Sequence, residues 1–302
     1  MPLISVIIPA YNAAKTIERT IRSVMASTIP LDIWVVDDGS TDGTSEILDE
    51  FQRKVEEVEE VEEVEEVEGV EKVEVEGGGG ERNGSTLHVL RQPNSGAYQA
   101  RLNALKQIQT PYFGFVDADD TVEPDMFEKM LAFAKTENLD VVQVGWNAEG
   151  GVGCGAAGVC ALPVRGSRTD VFNAIVRPIM WEGRDSSFIW DKLYRNQYDF
   201  STFDPTDHVT NFDDLIFNLQ FFTQVKRMGF IDEPLYHYNE TVGSAARKFR
   251  WKIVKDFRET LRMRRKMAPA YGVHPWGWMN FRWFVKNARN LFAIWLKSKI
   301  KR

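Results

Sequence analysis

A short apolar stretch near the start of the chain decides the fold: Leu3-Ile4-Ser5-Val6-Ile7-Ile8-Pro9. It is almost entirely apolar and β-branched, which is typical of a strand buried on both faces of a parallel sheet. Apolar residues at helical spacing follow over residues 15–25, and residues 33–36 predict a second buried strand. The chain therefore begins with the strand–helix–strand pattern of an α/β protein.

The same alternation continues through the first half of the chain. Helices are predicted at 44–51, 97–108 and 124–136, and strands at 87–90, 112–116 and 141–144. This alternation predicts a doubly wound, mostly parallel sheet. Ligands bind such sheets at the carboxyl ends of the strands, where acidic clusters occur at 37–38 and 117–120. This coincidence is the first indication of a functional site.

Composition excludes several classes of protein. The 302 residues are 43% hydrophobic and 27% charged, as in an ordinary globular protein and unlike collagen, a wholly disordered chain or a disulfide scaffold. Neither Cys154 nor Cys160 lies in a paired zinc pattern, which favours a reducing compartment. The first residues lack the pattern of a signal peptide, and no apolar run reaches the roughly 18 residues of a membrane span. We therefore expect a cytoplasmic location.

The net charge of −7 conceals three different regions. Residues 53–82 contain 13 Glu against four Lys or Arg, whereas residues 247–302 contain 17 Lys or Arg against two Asp or Glu. The remaining residues carry a net charge of −13. Because the body is acidic, we expect no nucleic acid partner, while the basic tail suits an anionic membrane surface.

Two segments are expected to carry no chemistry. Residues 55–76 repeat Val-Glu-Glu, and a three-residue apolar period drifts around a helix without forming one stripe. We interpret this insertion as frayed helix or disorder that is dispensable for activity, with an acidic docking arm as the alternative. The Gly- and Ala-rich residues 148–161 predict an ordinary loop instead of a metal or redox site.

The second acidic cluster has the pattern of a metal site. Asp117 and Asp119 flank Ala118, so on an extended chain both side chains point to the same side. Carboxylates in this arrangement bind a divalent cation, which in turn neutralises a diphosphate. The alternative is that residues 119–121 cap the helix that follows, and that residues 37–42 simply form a turn. Both interpretations remain open at this point.

Four motifs in order resemble a known family. They are Ser-Val-Ile-Ile-Pro-Ala-Tyr-Asn at 5–12, Val-Asp-Asp-Gly-Ser-Thr-Asp-Gly-Thr at 36–44, Asn-Ser-Gly at 94–96 with Arg101 and Asn103, and Phe-Val-Asp-Ala-Asp-Asp at 115–120. Together they resemble the inverting family 2 glycosyltransferases of the GT-A fold. The resemblance is strong over residues 3–146, apart from the repeat, and looser over 185–245.

The resemblance implies a nucleotide-sugar donor, most often a UDP-sugar. It places Pro9 and Tyr11 at the nucleotide base, whose N–H would donate to the Asp38 carboxylate. Arg101 would lie near the nucleotide, where a fixed cation meets a carboxylate or a phosphate, with a surface ion pair as the alternative. Asp117 would lie closer to the ribose.

The resemblance also implies a divalent cation, Mn2+ or Mg2+, held by Asp119 and Asp117. His237 is a candidate for a further ligand, with a core or surface histidine as the alternative. Inverting transfer requires a base that deprotonates the acceptor hydroxyl. The resemblance assigns this base to Asp214, which follows Asp213 where the family usually has Glu. The alternative is a helix N-terminus that favours acidic residues through its dipole.

The resemblance further suggests acceptor contacts at Trp190 and Lys192, with a core position as the alternative for Trp190. We expect three regions: a nucleotide-sugar-binding half at 1–146, an acceptor-binding half at 147–246 and a basic, Trp-rich helical tail at 247–302. The predicted function is metal-dependent, inverting sugar transfer to a glycan or lipid-linked acceptor in cell-surface polysaccharide synthesis. This places the protein in the cytoplasm, peripherally on the inner membrane face. The alternatives are a catalytically silent sugar-nucleotide scaffold and a nucleotidyltransferase, although no Gly-rich phosphate loop supports the latter.

Overall fold

A computed structural model of the protein describes residues 1–53, 84–148, 188–203, 212–239 and 252–272, together with 281, 284–289, 292 and 296. The Val-Glu-Glu repeat and both cysteines lie outside the described residues. So does the loop containing Gly243, Ser244 and Arg247, which the family resemblance suggests closes over the diphosphate. The predictions made for those segments remain predictions.

The described residues form one eight-stranded sheet. Its strands are β1 (Ile4–Ala10), β2 (Asp32–Asp37), β3 (Thr86–Arg91), β4 (Tyr112–Phe115), β5 (Thr121–Val122), β6 (Val141–Ala148), β7 (Lys192–Arg195) and β8 (Met228–Tyr238). The order across the sheet is β3-β2-β1-β4-β7-β6-β8-β5. Only β5 and β7 run antiparallel to their neighbours among these strands, so the predicted mostly parallel sheet is confirmed.

Helices pack on both faces of this sheet. They are α1 (Ile17–Met25), α2 over residues 44–53, α3 (Ala97–Leu105), α4 (Met126–Thr136), α5 (Asp213–Phe221) and α6 (Lys252–Met267). The first strand explains the arrangement, because Val6 and Ile8 enter one apolar cluster with α1 and α4 while Ile7 enters the other with α3 and α5. The prediction that this strand is buried on both faces is confirmed.

Two strands were not predicted from the sequence. β5 has only two residues, and β7 consists of Lys-Leu-Tyr-Arg, which lacks a recognisable strand pattern. β7 pairs with β4 and β6, so residues distant in sequence occupy the centre of the sheet. The carboxyl ends of β1, β2 and β4 nevertheless lie at one edge, as expected for parallel neighbours. None of the described helices is long and apolar enough to cross a membrane.

Candidate active site

The loops that follow β1 and β2 are joined by hydrogen bonds. The Asn12 backbone has a left-handed φ of 52°, and its side chain accepts a hydrogen bond from the Thr41 backbone N–H at 2.8 Å. The backbone N–H of Asn12 donates to Ser40 Oγ at 3.1 Å, and that of Ala13 to Thr44 Oγ1 at 2.9 Å. These bonds fix the chain next to Tyr11, which is 53% exposed at this edge of the sheet. Its ring is therefore accessible to a planar ligand.

The two aspartates at the end of β2 organise turns. Asp37 accepts hydrogen bonds from the Ser40 backbone N–H at 3.0 Å and from the Ser45 hydroxyl. Burial opposes ionisation, but the hydrogen bonds from Ser45 and Ser40 bring the pKa of Asp37 below its ordinary value. Asp37 therefore stabilises the turn after β2.

Asp38 fixes the loop that leads into α3. Its carboxylate accepts hydrogen bonds from the backbone N–H groups of Ser95 and Gly96 and from Gln92 Nε2, each at 2.7 Å. A carboxylate has about four acceptor positions, so one remains after these three bonds. Asp38 is 2% exposed, which limits access from solvent. The predicted hydrogen bond to a base N–H remains a prediction.

Gly39 allows the loops after β2 and β3 to meet. Its φ of 73° lies in the left-handed region, and a Cβ at this position would be only 2.8 Å from the Asn94 backbone nitrogen. A larger residue would separate the two loops, because backbone atoms cannot yield as a flexible side chain does. The glycine in the second motif is therefore required by local packing.

The central feature of the site is a buried arginine among three carboxylates. The Arg101 side chain is 5% exposed and donates through Nη2 to Asp117 at 2.6 Å and through Nη1 to Asp213 at 2.7 Å. Asp214 Oδ1 lies 3.5 Å from the same Nη1 atom. The guanidinium also lies 5.8 Å from the Phe115 ring centroid. We call Arg101, Asp117, Asp213 and Asp214 the Arg101 cluster.

The charges in the Arg101 cluster do not balance. Burial opposes the charged form of Arg101, but Asp117, Asp213 and Asp214 together raise its pKa. Burial also raises the pKa of Asp213, and it raises that of Asp214 further with the help of the neighbouring Asp213. Three carboxylates thus face one cation, which favours the arrival of further positive charge at this position.

A tyrosine on β8 holds the second acidic motif in place. The Tyr236 hydroxyl donates to Asp120 Oδ2 at 2.7 Å and accepts from the Asp117 backbone N–H at 3.2 Å. The Asn239 backbone N–H donates to the other Asp120 oxygen at 2.8 Å. Burial, with the nearby Asp117 charge, raises the pKa of Asp120 to about 8. Sequence analysis missed Tyr236, because nothing in the pattern of a strand end indicates which hydroxyl turns toward a distant loop.

Asp119 and His237, two residues suggested as metal ligands, are the sequence neighbours of Asp120 and Tyr236. The Asp119 backbone carbonyl accepts hydrogen bonds from Arg19 at 2.9 Å and from the Asn239 side chain at 3.1 Å. The His237 ring nitrogens are 2.6 Å from Asn147 Oδ1 and 2.7 Å from Glu123 Oε1. A metal bond from His237 would have to replace one of these hydrogen bonds. Among the residues that the structure describes, no three His, Cys, Asp or Glu side chains converge into a complete metal site.

Trp190 and Lys192, the two residues suggested as acceptor contacts, are both buried. Trp190 is buried between Phe188 and Tyr236, with ring centroid distances of 4.7 and 4.4 Å. The Lys192 ammonium is fully buried in an ion pair with Asp191 at 2.6 Å. Burial raises the pKa of the aspartate and lowers that of the lysine, although each partner opposes the shift in the other. Both side chains are part of the core in this structure.

Comparison with known sequences matches the motif-bearing half of the chain. Residues 5–69 and 79–153 match the model of the family described as glycosyl transferase family 2. The Bacillus subtilis (strain 168) protein EpsJ, described as an uncharacterized glycosyltransferase, is 26% identical over 254 residues, which cover 81% of this chain and 63% of EpsJ. TuaG of the same organism, a putative teichuronic acid biosynthesis glycosyltransferase, is 37% identical over 134 residues, or 44% of this chain and 42% of TuaG. The chain thus spans less than two thirds of either relative.

Solved structures share the fold. The crystal structure of S. aureus TarS residues 1–349 in complex with UDP-GlcNAc has a TM-score of 0.64 at 19% identity, and the match covers 89% of this chain and 66% of that one. The same TarS fragment without a named ligand gives a TM-score of 0.62. This likeness confirms the GT-A-like architecture. Over residues 5–69 and 79–153, which make up less than half of the chain, the sequence is thus similar to glycosyl transferase family 2, and the described fold is shared with the TarS structures.

Proposed function

We propose that the protein is an inverting glycosyltransferase that transfers a sugar from a nucleotide-sugar donor to a glycan or lipid-linked acceptor in cell-surface polysaccharide synthesis. The observation that carries this proposal is the Arg101 cluster. It joins Asp117, at the end of β4, to Asp213 and Asp214, at the start of α5. A donor-side carboxylate and a candidate base thus lie around one guanidinium. The description of TuaG supports the proposed biological role.

We propose that the donor carries UDP. The exposed ring of Tyr11 offers a face to a base, and Pro9 lies two residues earlier, near the end of β1. The remaining acceptor position of Asp38 suits an N–H of uracil. The TarS structure that shares this fold contains UDP-GlcNAc, which supports the same donor class here.

A divalent cation, Mn2+ or Mg2+, fits the donor set. Mg2+ typically binds through one or two carboxylates, with substrate phosphates and water completing the shell. Asp119 and Asp117 would supply such carboxylates, and the surplus negative charge of the Arg101 cluster favours a cation nearby. When bound, the ion stabilises charge on the leaving diphosphate as a Lewis acid. We do not require His237 as a ligand, because both of its ring nitrogens already have partners.

Asp214 is the better candidate for the general base. Asp213 accepts a short hydrogen bond from Arg101 at 2.7 Å, whereas Asp214 lies 3.5 Å from the same nitrogen. A carboxylate that is less firmly paired keeps an oxygen for the acceptor hydroxyl. Its raised pKa also brings its proton affinity closer to that required at neutral pH. Asp214 would take the hydroxyl proton as the acceptor oxygen attacks the anomeric carbon.

The experiment is a donor-binding and transfer assay. UDP, GDP, CDP and TDP are titrated with and without Mn2+ against wild type and Asp119→Ala, and UDP-sugars are then screened for transfer. We expect Mn2+-dependent UDP binding that Asp119→Ala weakens. Asp214→Asn should lower transfer by about 10²- to 10⁴-fold while UDP binding remains. The control is Asp125→Asn, which removes an acidic residue at the start of α4 and should leave transfer unchanged.

Two outcomes would overturn parts of this proposal. If nucleotide binds but no sugar is transferred to any acceptor or to water, the scaffold alternative is favoured. If Asp214→Asn transfers sugar normally, the acidic pair at α5 serves only the helix dipole. We further propose a cytoplasmic location at the inner membrane face, supported by the basic composition of residues 247–302.

A further inference from the structure

The outer face of α6 carries a row of basic side chains. Lys255, Arg258, Arg262 and Lys266 are all exposed, and their spacing of three or four residues places them on one face of the helix. One acidic neighbour, Glu259, accepts a hydrogen bond from Arg262 at 2.8 Å. The row therefore presents net positive charge to solvent.

The residues beyond α6 expose large apolar side chains. Every described residue from 281 to 296 is helical, and the exposed ones include Phe281, Phe284, Val285, Phe292 and Leu296, at 37–62%. The Phe284 ring lies 5.5 Å from the Phe257 ring of α6. This contact places Phe284 against α6, the helix that also carries the basic row.

This concentration of exposed apolar residues is confined to the C-terminal part of the described chain. Before residue 252, the large apolar side chains that are exposed are Met1, Leu3 and Tyr11, among the residues described. Residues 247–302 also hold 17 basic residues against two acidic ones. Apolar exposure and positive charge therefore coincide in one region.

We propose that this region is a docking surface for an anionic lipid bilayer. We call it the C-terminal surface and define it by Lys255, Arg258, Val285, Phe292 and Leu296. The apolar side chains would enter the boundary between headgroups and acyl chains, while the basic row meets the anionic headgroups. A second copy of the chain is less suitable, because its acidic body offers complementary charge but few exposed apolar residues in the described ranges.

The proposal is tested by sedimentation of the full chain with vesicles, without donor or acceptor. We expect binding to mixed phosphatidylcholine–phosphatidylglycerol vesicles, little binding to pure phosphatidylcholine, and release by salt. Neutralising both charges in Lys255→Gln/Arg258→Gln should weaken binding about 25-fold, at roughly fivefold per charge. The matched control is Lys15→Gln/Lys135→Gln, which removes two exposed charges outside this surface and should leave binding unchanged.

A second pair of variants tests the apolar contribution. Val285→Ser/Leu296→Ser should weaken binding at least about tenfold, because two partly exposed apolar side chains no longer enter the bilayer. Leu3→Ser, at a similarly exposed position on the body, should have no effect. Equal binding to neutral and anionic vesicles, or no binding to either, would overturn the proposal. Self-association of the wild type that Val285→Ser/Leu296→Ser abolishes, in the absence of vesicle binding, would assign the surface to a second copy instead. None of these outcomes depends on sugar transfer.

Discussion

Replacing Arg101 by glutamine tests whether the charge of this side chain stabilises the three carboxylates that surround it. Glutamine retains hydrogen-bonding capacity but removes the charge that faces Asp117, Asp213 and Asp214. All three carboxylates would then crowd one another in a mostly buried position. We expect the folded state to lose stability and the acidic residues to bind protons more readily.

The contacts indicate the size of the effect. Arg101 is 5% exposed, and its two closest partners lie at 2.6 and 2.7 Å with 30% and 15% exposure. Removing one partner from a buried ion pair typically costs about 3–5 kcal/mol, because the remaining charge is left uncompensated. We therefore expect Arg101→Gln to lose about 3 kcal/mol in free energy of unfolding near neutral pH. Arg22→Gln, which breaks an exposed pair with Glu18, should lose less than about 0.5 kcal/mol.

The pH dependence distinguishes lost charge from lost packing. The pKa values of Asp213 and Asp214 are raised in the folded state above the ordinary value of 3.8. The stability linked to a raised carboxyl pKa is fully present below the unfolded pKa and is lost as pH rises through the folded one. Removing Arg101 raises these folded pKa values further. The difference in free energy of unfolding between Arg101→Gln and wild type should therefore be largest near neutral pH and shrink as the pH falls toward 4.

Urea denaturation of wild type and Arg101→Gln at about pH 7 and about pH 4.5 measures this difference. A second variant, Arg101→Gln/Asp213→Asn, should recover part of the lost stability at the higher pH, because one uncompensated carboxylate is removed. Equal losses at both pH values, with no recovery in the double variant, would refute the electrostatic explanation. The loss would then arise from the packing of the arginine side chain.

Three other substitutions test the support of the site. Tyr236→Phe should lower the free energy of unfolding by about 1–3 kcal/mol, because Asp120 loses the hydrogen bond that the Tyr236 hydroxyl donates. It should also weaken metal-dependent UDP binding. Tyr271→Phe, which removes a similar hydroxyl contact elsewhere, should leave UDP binding intact. Lys192→Met should lower the free energy of unfolding, measured by urea denaturation, by about 3–5 kcal/mol. The loss should be smaller in Lys192→Met/Asp191→Asn, where no unpaired carboxylate remains buried. Gly39→Ala should lose more stability and UDP affinity than Gly272→Ala, because both residues have positive φ but only Gly39 faces backbone atoms.

Local patterns were sufficient to predict much of the fold. The first strand is almost uniformly apolar, and both of its faces are buried, since Val6 and Ile7 enter opposite clusters. A helix N-terminus was the alternative interpretation of the acidic pair at 213–214, and α5 does begin at Asp213. These features depend on side chains close in sequence, so their patterns survive without knowledge of the tertiary structure.

The sequence did not reveal which polar side chains are buried together. Lys192 was suggested as an acceptor contact, and in the structure β7 lies between β4 and β6 and its lysine forms a buried ion pair with Asp191. Tyr236 also went unrecognised, because its hydrogen bond to Asp120 joins residues that are 116 positions apart in the sequence. Such pairings depend on the order of the strands in the sheet, which the hydrophobic periodicity of a single segment does not predict.

Strand order also explains how two functional halves form one site. β7 belongs to the proposed acceptor half, yet it lies between β4 and β6, which come largely from the proposed donor half. β4 ends just before Asp117, and α5, which brings Asp213 and Asp214, lies between β7 and β8 in sequence. Arg101 then connects the end of β4 to the start of α5. A change that shifts β7 should therefore alter donor and acceptor chemistry together. Asp117 on the donor side and Asp213 and Asp214 on the acceptor side are positioned by the same sheet and are bound by the same arginine, Arg101.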